Sequence, residues 1–113
     1  MYRDYRLYLE DILEAISRIK QYTRGRDYEN FISDTKTQDA VVRNLEIIGE
    51  AAGRLPKSCL LAAPEIQWRK IVGIRNILTH EYFGVSFPIV WDIVQTKLGM
   101  LETTCRSLLD NAK

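Results

Sequence analysis

Apolar positions recur in helical periods along almost the whole chain. Tyr5, Tyr8, Leu9, Ile12, Ile16 and Ile19 are spaced by three and four, which predicts an amphipathic helix. Asp4 stands where an N-cap belongs, and Gly25 within Arg24-Gly25-Arg26 stops the helix. Residues 27–34 bring Tyr28, Phe31 and Ile32 into a short helix or turn that packs two aromatics inward. From about Thr35 to Leu55, Val41, Leu45, Ile48, Ala52 and Leu55 form an apolar face, with Asp39, Arg43, Glu46, Glu50 and Arg54 opposite. Pro56 ends that helix, and residues 56–64 form a connector that lays Leu60 and Leu61 on the core. Another helix starts at Trp68 and runs toward Phe83-Gly84, where Gly84 suits a left-handed C-terminal position. Ser86 caps the last helix, Pro88 sits in its first turn, and Phe87, Val90, Val94, Leu98, Leu101, Cys105 and Leu108 make its stripe. Residues 110–113 fray. With no convincing strand alternation, no repeat and no second domain, the expectation is an all-α fold. It is an antiparallel bundle of four main helices with a short additional helix, in one domain spanning residues 1–113.

The Thr35–Leu55 segment has a thin side at Gly49, Ala51 and Ala52, which permits close backbone approach. A mid-helix glycine costs up to about 1 kcal/mol against alanine, and close packing offsets that. Glu46 and Glu50 stand four apart on the charged side. Each is a candidate partner for an arginine elsewhere, or part of a solvated face.

Composition changes this picture little. Of 113 residues, 46% are hydrophobic and 27% charged, an ordinary globular balance. The net charge of +1 excludes the global basic field of many nucleic-acid binders, so any such contact must use a local patch. Arg24 and Arg26 form a small basic corner, which reads as a solvated loop favourable to a helix C-terminus. Cys59 and Cys105 lack metal spacing and read as reduced, partly buried thiols. No apolar run approaches the roughly 18 residues of a membrane span, and no apolar signal region follows Met1-Tyr2-Arg3-Asp4. The expected location is the cytoplasm.

The chemistry concentrates in Arg75-Asn76-Ile77-Leu78-Thr79-His80-Glu81-Tyr82, which holds the only histidine. At about 100° per residue, Arg75 projects within the stripe of Trp68, Ile71, Val72 and Leu78. Asn76 and His80, four apart, share the stripe's edge. A buried guanidinium demands a partner, since an unpaired charge costs several kcal/mol. The clustering of Arg, Asn, His and Tyr at one helix end favours a functional reading over isolated core or surface residues. One histidine and two distant cysteines cannot build a zinc site, and no glycine-rich phosphate loop occurs, so neither a metal nor a cofactor is expected.

Arg75-x4-His80-x-Tyr82, with Asn76 beside the arginine, resembles the signature of the HEPN superfamily. The nearest branch is the HepT-type toxin of HEPN/MNT toxin–antitoxin pairs. Tyr5 to Ile19, Asn44 to Ala52 and Trp68 to Tyr82 all resemble that family in order and spacing. The resemblance implies the HEPN fold and a metal-independent endoribonuclease acting as a homodimer, in which two copies of His80 meet in one cleft. It also implies an MNT-type nucleotidyltransferase antitoxin as partner, transferring AMP to Tyr82.

The residues fit such chemistry. Histidine, with an ordinary pKa of about 6.5, is a natural proton carrier, and a helix C-terminus favours its charged form. Arg75 can grip a phosphate bidentately and hold transition-state charge. Asn76 and Tyr82 can support by hydrogen bonding. The alternative from another class is a non-catalytic helical HEPN subunit that binds nucleotide or a nucleotidyltransferase.

Overall fold

The computed structural model describes residues 3–79 and 86–112, with side chains omitted at 75–79. Within them lie seven helices and no strand. They are α1 (Tyr5–Thr23), α2 (Tyr28–Ile32), α3 (Thr35–Gly53), α4 (Lys57–Ala62), α5 (Trp68–Thr79), α6 (Phe87–Thr96) and α7 (Leu98–Asp110). The all-α architecture expected from the periodicity is the one observed.

α1 and α3 form its centre. Leu9, Ile12, Ile16 and Ile19 of α1 are fully buried, as are Val41, Leu45 and Ile48 of α3. Each set repeats at three and four, so each helix offers one continuous apolar line to the other. Asp4 caps α1, its side chain accepting from the Arg6 amide. Gly25 ends the turn after α1 with φ 72°, a conformation that disfavours a Cβ. α3 packs on α1 along one flank and on α5 along another, and α7 closes the far side of α1.

α2 and α3 are joined tightly. The Asp34 carboxylate accepts from both the amide and the hydroxyl of Thr37, at 3.2 and 2.8 Å. Gln38 is buried, and its Nε2 donates to the Phe31 and Ile32 carbonyls that end α2. Phe31 is fully buried and meets Phe87 and Trp91 of α6 at ring-centroid distances of 5.9 and 5.0 Å. Tyr28 reaches Trp91 at 6.3 Å. These aromatics close the end of the bundle where α1 finishes and α3 begins.

Three details depart from expectation. The last helix is interrupted at Lys97, although its stripe of Val90, Leu98, Leu101 and Cys105 stays buried across the break. The Thr96 hydroxyl donates back to the Asp92 carbonyl at 2.7 Å, a bond that bends helices, and Gly99 weakens the following turn. The 56–64 connector contains helix α4, which turns Cys59 and Leu60 inward and leaves Leu61 70% exposed, because adjacent helical residues point about 100° apart. Ser86 occupies the N-cap position of α6, but its side chain makes no capping bond. Gly49, Ala51 and Ala52 are buried within the single chain, so the thin side of α3 serves internal packing. The expected end of the motif helix at residues 80–84 lies outside the described residues.

Both cysteines are free and buried. Burial pushes the Cys105 thiol up to about 12, with Cys59 adding to the shift, and burial also raises Cys59.

Two predictions follow from the aromatic end. Phe31→Ala removes a fully buried ring that bridges α2 and α6, and should destabilise the fold by about 3–5 kcal/mol in urea unfolding. The Thr37 hydroxyl and amide, with Arg26, hold the Asp34 carboxyl below its ordinary range. A lowered folded-state pKa gives stability that is present above the unfolded value and lost as pH falls through the folded one. Asp34→Asn should therefore melt lower than wild type at pH 7, and the two melting curves should converge on acidification toward pH 2.

Candidate functional site

α5 is the platform for the motif, and its start is well fixed. Trp68 is buried, and its Nε1 donates to the Ala63 carbonyl at 3.0 Å, tying the helix to the end of α4. Ile71 and Ile74 are buried on the following turns. A Cβ added at Gly53 would lie 3.6 Å from Val72 Cγ1, so the last turn of α3 abuts α5 at Val72.

The backbone of Arg75 and Asn76 lies in α5. Their side chains, and the whole of His80 and Tyr82, lie outside the described residues. The helical register is nevertheless informative. Position 75 falls between the lines of Trp68 and Ile71, both buried. Position 76 continues the line of Arg69 and Val72, both exposed. Val72, 38% exposed, therefore lies outside the buried stripe in which the sequence pattern placed it.

α3 supplies the neighbouring wall and separates the two carboxylates that looked equivalent in sequence. Glu50 lines, with Arg43, Ile47 and Arg54, a polar cleft whose other wall is Arg3 and, from α1, Tyr8 and Asp11. There it approaches Arg54 of its own helix at 3.9 Å. Glu46 is half-buried and lies on the line of Gly53, the line that meets α5. Helical register therefore puts Glu46 nearer than Glu50 to the line that meets α5.

Asn44 was legible only as the start of a family-like segment. It is buried, its Nδ2 donates to the Ala40 carbonyl at 2.8 Å, and its Oδ1 has no partner among the described residues. An amide between Val41 and Ile48 in an apolar stripe was the available signal. A buried, unsatisfied acceptor is costly, which makes Oδ1 a ready acceptor for a donor from elsewhere.

On its other flank α5 is poorly covered. Among the described residues it meets α6 and α7 only marginally. Between them runs an open groove of about 680 Å³, with Ile66, Ile71 and Ile74 on one wall and Ile89, Ile93 and Met100 on the other. Ile89 and Met100 are 46% and 58% exposed. Among the described residues, no group of His, Cys, Asp and Glu could hold a metal ion.

Comparison with known proteins bears on the family of the whole chain. Residues 12–108 match the family described as ribonuclease HepT-like. The chain belongs to this family, within the HEPN superfamily. It is 44% identical over 102 residues to a probable ribonuclease HepT of Thermococcus cleftensis, covering 90% of this chain and 93% of that protein. It is 41% identical over 96 residues to a putative RNase of Methanocaldococcus jannaschii, covering 85% and 79%. A putative RNase of Caldanaerobacter subterraneus subsp. tengcongensis is 37% identical over 108 residues, covering 96% of both. No solved structure matches the chain significantly. In this HepT-like chain, as in any protein, the anchoring of the motif helix can be tested apart from activity. Trp68→Phe keeps most of the ring and removes the bond to Ala63. It should lower unfolding stability by about 2 kcal/mol while leaving far-ultraviolet circular dichroism at room temperature unchanged.

Proposed function

We propose that residues 1–113 act as a single HEPN domain with metal-independent endoribonuclease activity, the toxin of a toxin–antitoxin pair working in the cytoplasm. The observation that carries this is the family match over residues 12–108 together with the intact Arg75-x4-His80 spacing inside it. Relatives named as ribonucleases support the reading. No helix among the described residues is long and apolar enough to cross a membrane.

Cleavage without a metal needs three services. The 2′-hydroxyl must lose a proton, the leaving 5′-oxygen must gain one, and charge on the phosphate must be held. His80 is the proton carrier, and Arg75 grips the phosphate. Asn76 orients His80 or donates to a phosphate oxygen, and Tyr82 hydrogen-bonds the substrate. The 2′-oxygen attacks the adjacent phosphorus while the bond to the 5′-oxygen breaks. The products are a 2′,3′-cyclic phosphate and a 5′-hydroxyl.

One histidine cannot be acid and base at the same instant, so a homodimer bringing two His80 side chains to one cleft completes the site. The buried glycine and alanines of α3 are occupied within the chain. The groove beside α5, with Ile89 and Met100 at its open edge, is the better candidate for the face a second copy covers. In this reading an MNT-type nucleotidyltransferase partner restrains the toxin by transferring AMP to the Tyr82 hydroxyl. The added phosphodiester places negative charge where Arg75 would otherwise bind RNA.

The deciding experiment is cleavage of RNA by purified wild type, His80→Ala and Arg75→Ala, with and without EDTA. Both variants should lose cleavage with circular dichroism retained, and EDTA should change nothing. Activity that disappears with EDTA and returns with magnesium would refute the metal-free mechanism. Light scattering should show a dimer at tens of micromolar that Met100→Glu shifts toward monomer; a wild-type monomer counts against the shared cleft. Co-expression with the partner should add mass in AMP units, lost in Tyr82→Phe. A neutralised but unmodified chain would point to occlusion by the partner.

A further inference from the structure

A second feature lies at the end of the bundle where α1 stops and α3 starts. A cleft of about 430 Å³ is lined by Gln21, Tyr22, Arg24, Arg26, Lys36, Thr37 and Ala40. Three of its lining residues are cationic and none is acidic. The cleft between α1 and α3 at the opposite end has three arginines but also Asp11 and Glu50 in its walls.

The three cations are not equally committed. Arg26 is paired with Asp34 at 2.8 Å, and Asp34 is further held by Thr37. Arg24 and Lys36 are exposed and pair with no carboxylate among the described residues. The sequence pattern assigns Arg24 to the solvated end of α1. The fold adds Lys36, from a different helix, to the same cleft. An α-helix C-terminus and an α-helix N-terminus lie side by side here, so their end charges oppose one another and the side chains set the local sign. Tyr22 is half-buried at this cleft, which offers an aromatic ring beside the cations.

Helix directions relate this cleft to the motif. α1 and α3 are antiparallel: Arg3 to Asp11 face Arg43 to Arg54 in one cleft, and Gln21 to Arg24 face Lys36 to Ala40 in the other. α3 ends at Gly53, which lies against Val72 near the start of α5, and α5 packs extensively along α3, so its later turns run back beside α3 and the two are antiparallel. From Val72, α5 therefore climbs toward the end that carries Lys36. At about 1.5 Å per residue it rises about 10 Å by Thr79, while α3 spans about 25 Å from Gly53 to Lys36. The motif end of α5 is thus about 15 Å short of the basic cleft along the bundle axis, a gap that a few nucleotides of single strand can cross.

We propose that Arg24 and Lys36, with Tyr22 beside them, form a docking site for the backbone phosphates of single-stranded RNA several nucleotides from the bond cut at the motif. The proposal rests on the ribonuclease reading. Arg24 and Lys36 neutralise phosphates without reading sequence, and Tyr22 offers a face on which a base stacks. A weakly charged protein thereby holds its substrate with one concentrated patch.

The test uses wild type and Arg24→Gln/Lys36→Gln with a fluorescent 2′-O-methyl oligoribonucleotide of twelve residues, which cannot be cleaved because its 2′-oxygen is blocked. Anisotropy gives the affinity across a salt series. Both substitutions are exposed, and thermal melting checks that the fold is kept. The double variant should bind about ten-fold more weakly, with a log–log salt slope shallower by about 1.4, the value for two phosphate contacts on a single strand. Arg24→Lys should restore most of the lost affinity contributed by that position, and Tyr22→Ala should weaken binding more than Tyr22→Phe. Equal affinity and slope in wild type and double variant, with wild type cleaving the unmodified oligonucleotide, would overturn the docking site and leave the ribonuclease reading standing. A wild type that neither binds nor cleaves RNA would overturn both. Unchanged RNA binding with loss of antitoxin capture would assign the cleft to a protein partner instead, and would also overturn the proposal.

Discussion

The contact between the apolar lines of α1 and α3 is the constraint on which everything else rests. Seven side chains on these two helices are fully excluded from water, and none of the charged residues of either helix is buried. Once they are packed, α3 takes α5 on a further flank, and α1 takes α7. The arrangement fixes which residues can share an end of the molecule. It puts the motif end of α5, the start of α3 and the close of α1 toward the same pole, although they are separated by tens of residues in sequence.

The fold was largely legible because its helices obey local rules. Asp4 and Gly25 bound α1 as their capping chemistry requires, and the stripe through Val41, Leu45 and Ile48 was continuous in sequence and is continuous in space. What escaped was decided by smaller energies. The break at Lys97 depends on a threonine hydroxyl bonding backward and on a nearby glycine, neither of which disturbs the apolar period. α4 is a turn and a half long, too short for periodicity to announce, and so Leu61 was assigned to the core when it faces water.

The candidate site divides differently. Motif spacing singled out Arg75, Asn76, His80 and Tyr82 from the sequence, and the family match spans these positions without assigning them roles. Sequence could not show that Glu50, and not Glu46, lines the polar cleft toward α1, since both sit in one charged band. It also could not bring Lys36 to Arg24, because that meeting needs α1 and α3 to be antiparallel. Asn44 is intermediate: an amide in an apolar stripe is visible in the sequence, but that its oxygen has no partner among the described residues is visible only in three dimensions.

The two thiols have a use that their inertness conceals. Cys59 lies on the short helix α4 at the margin of the core, while Cys105 is sealed between α7 and the rest of the bundle. A thiol reagent can reach neither without an opening motion, and burial keeps both protonated until that motion occurs. Labelling kinetics would therefore separate a local opening of α4 from the global opening that frees α7. The molecule carries, at two built-in positions, a chemical clock for its own partial and complete unfolding.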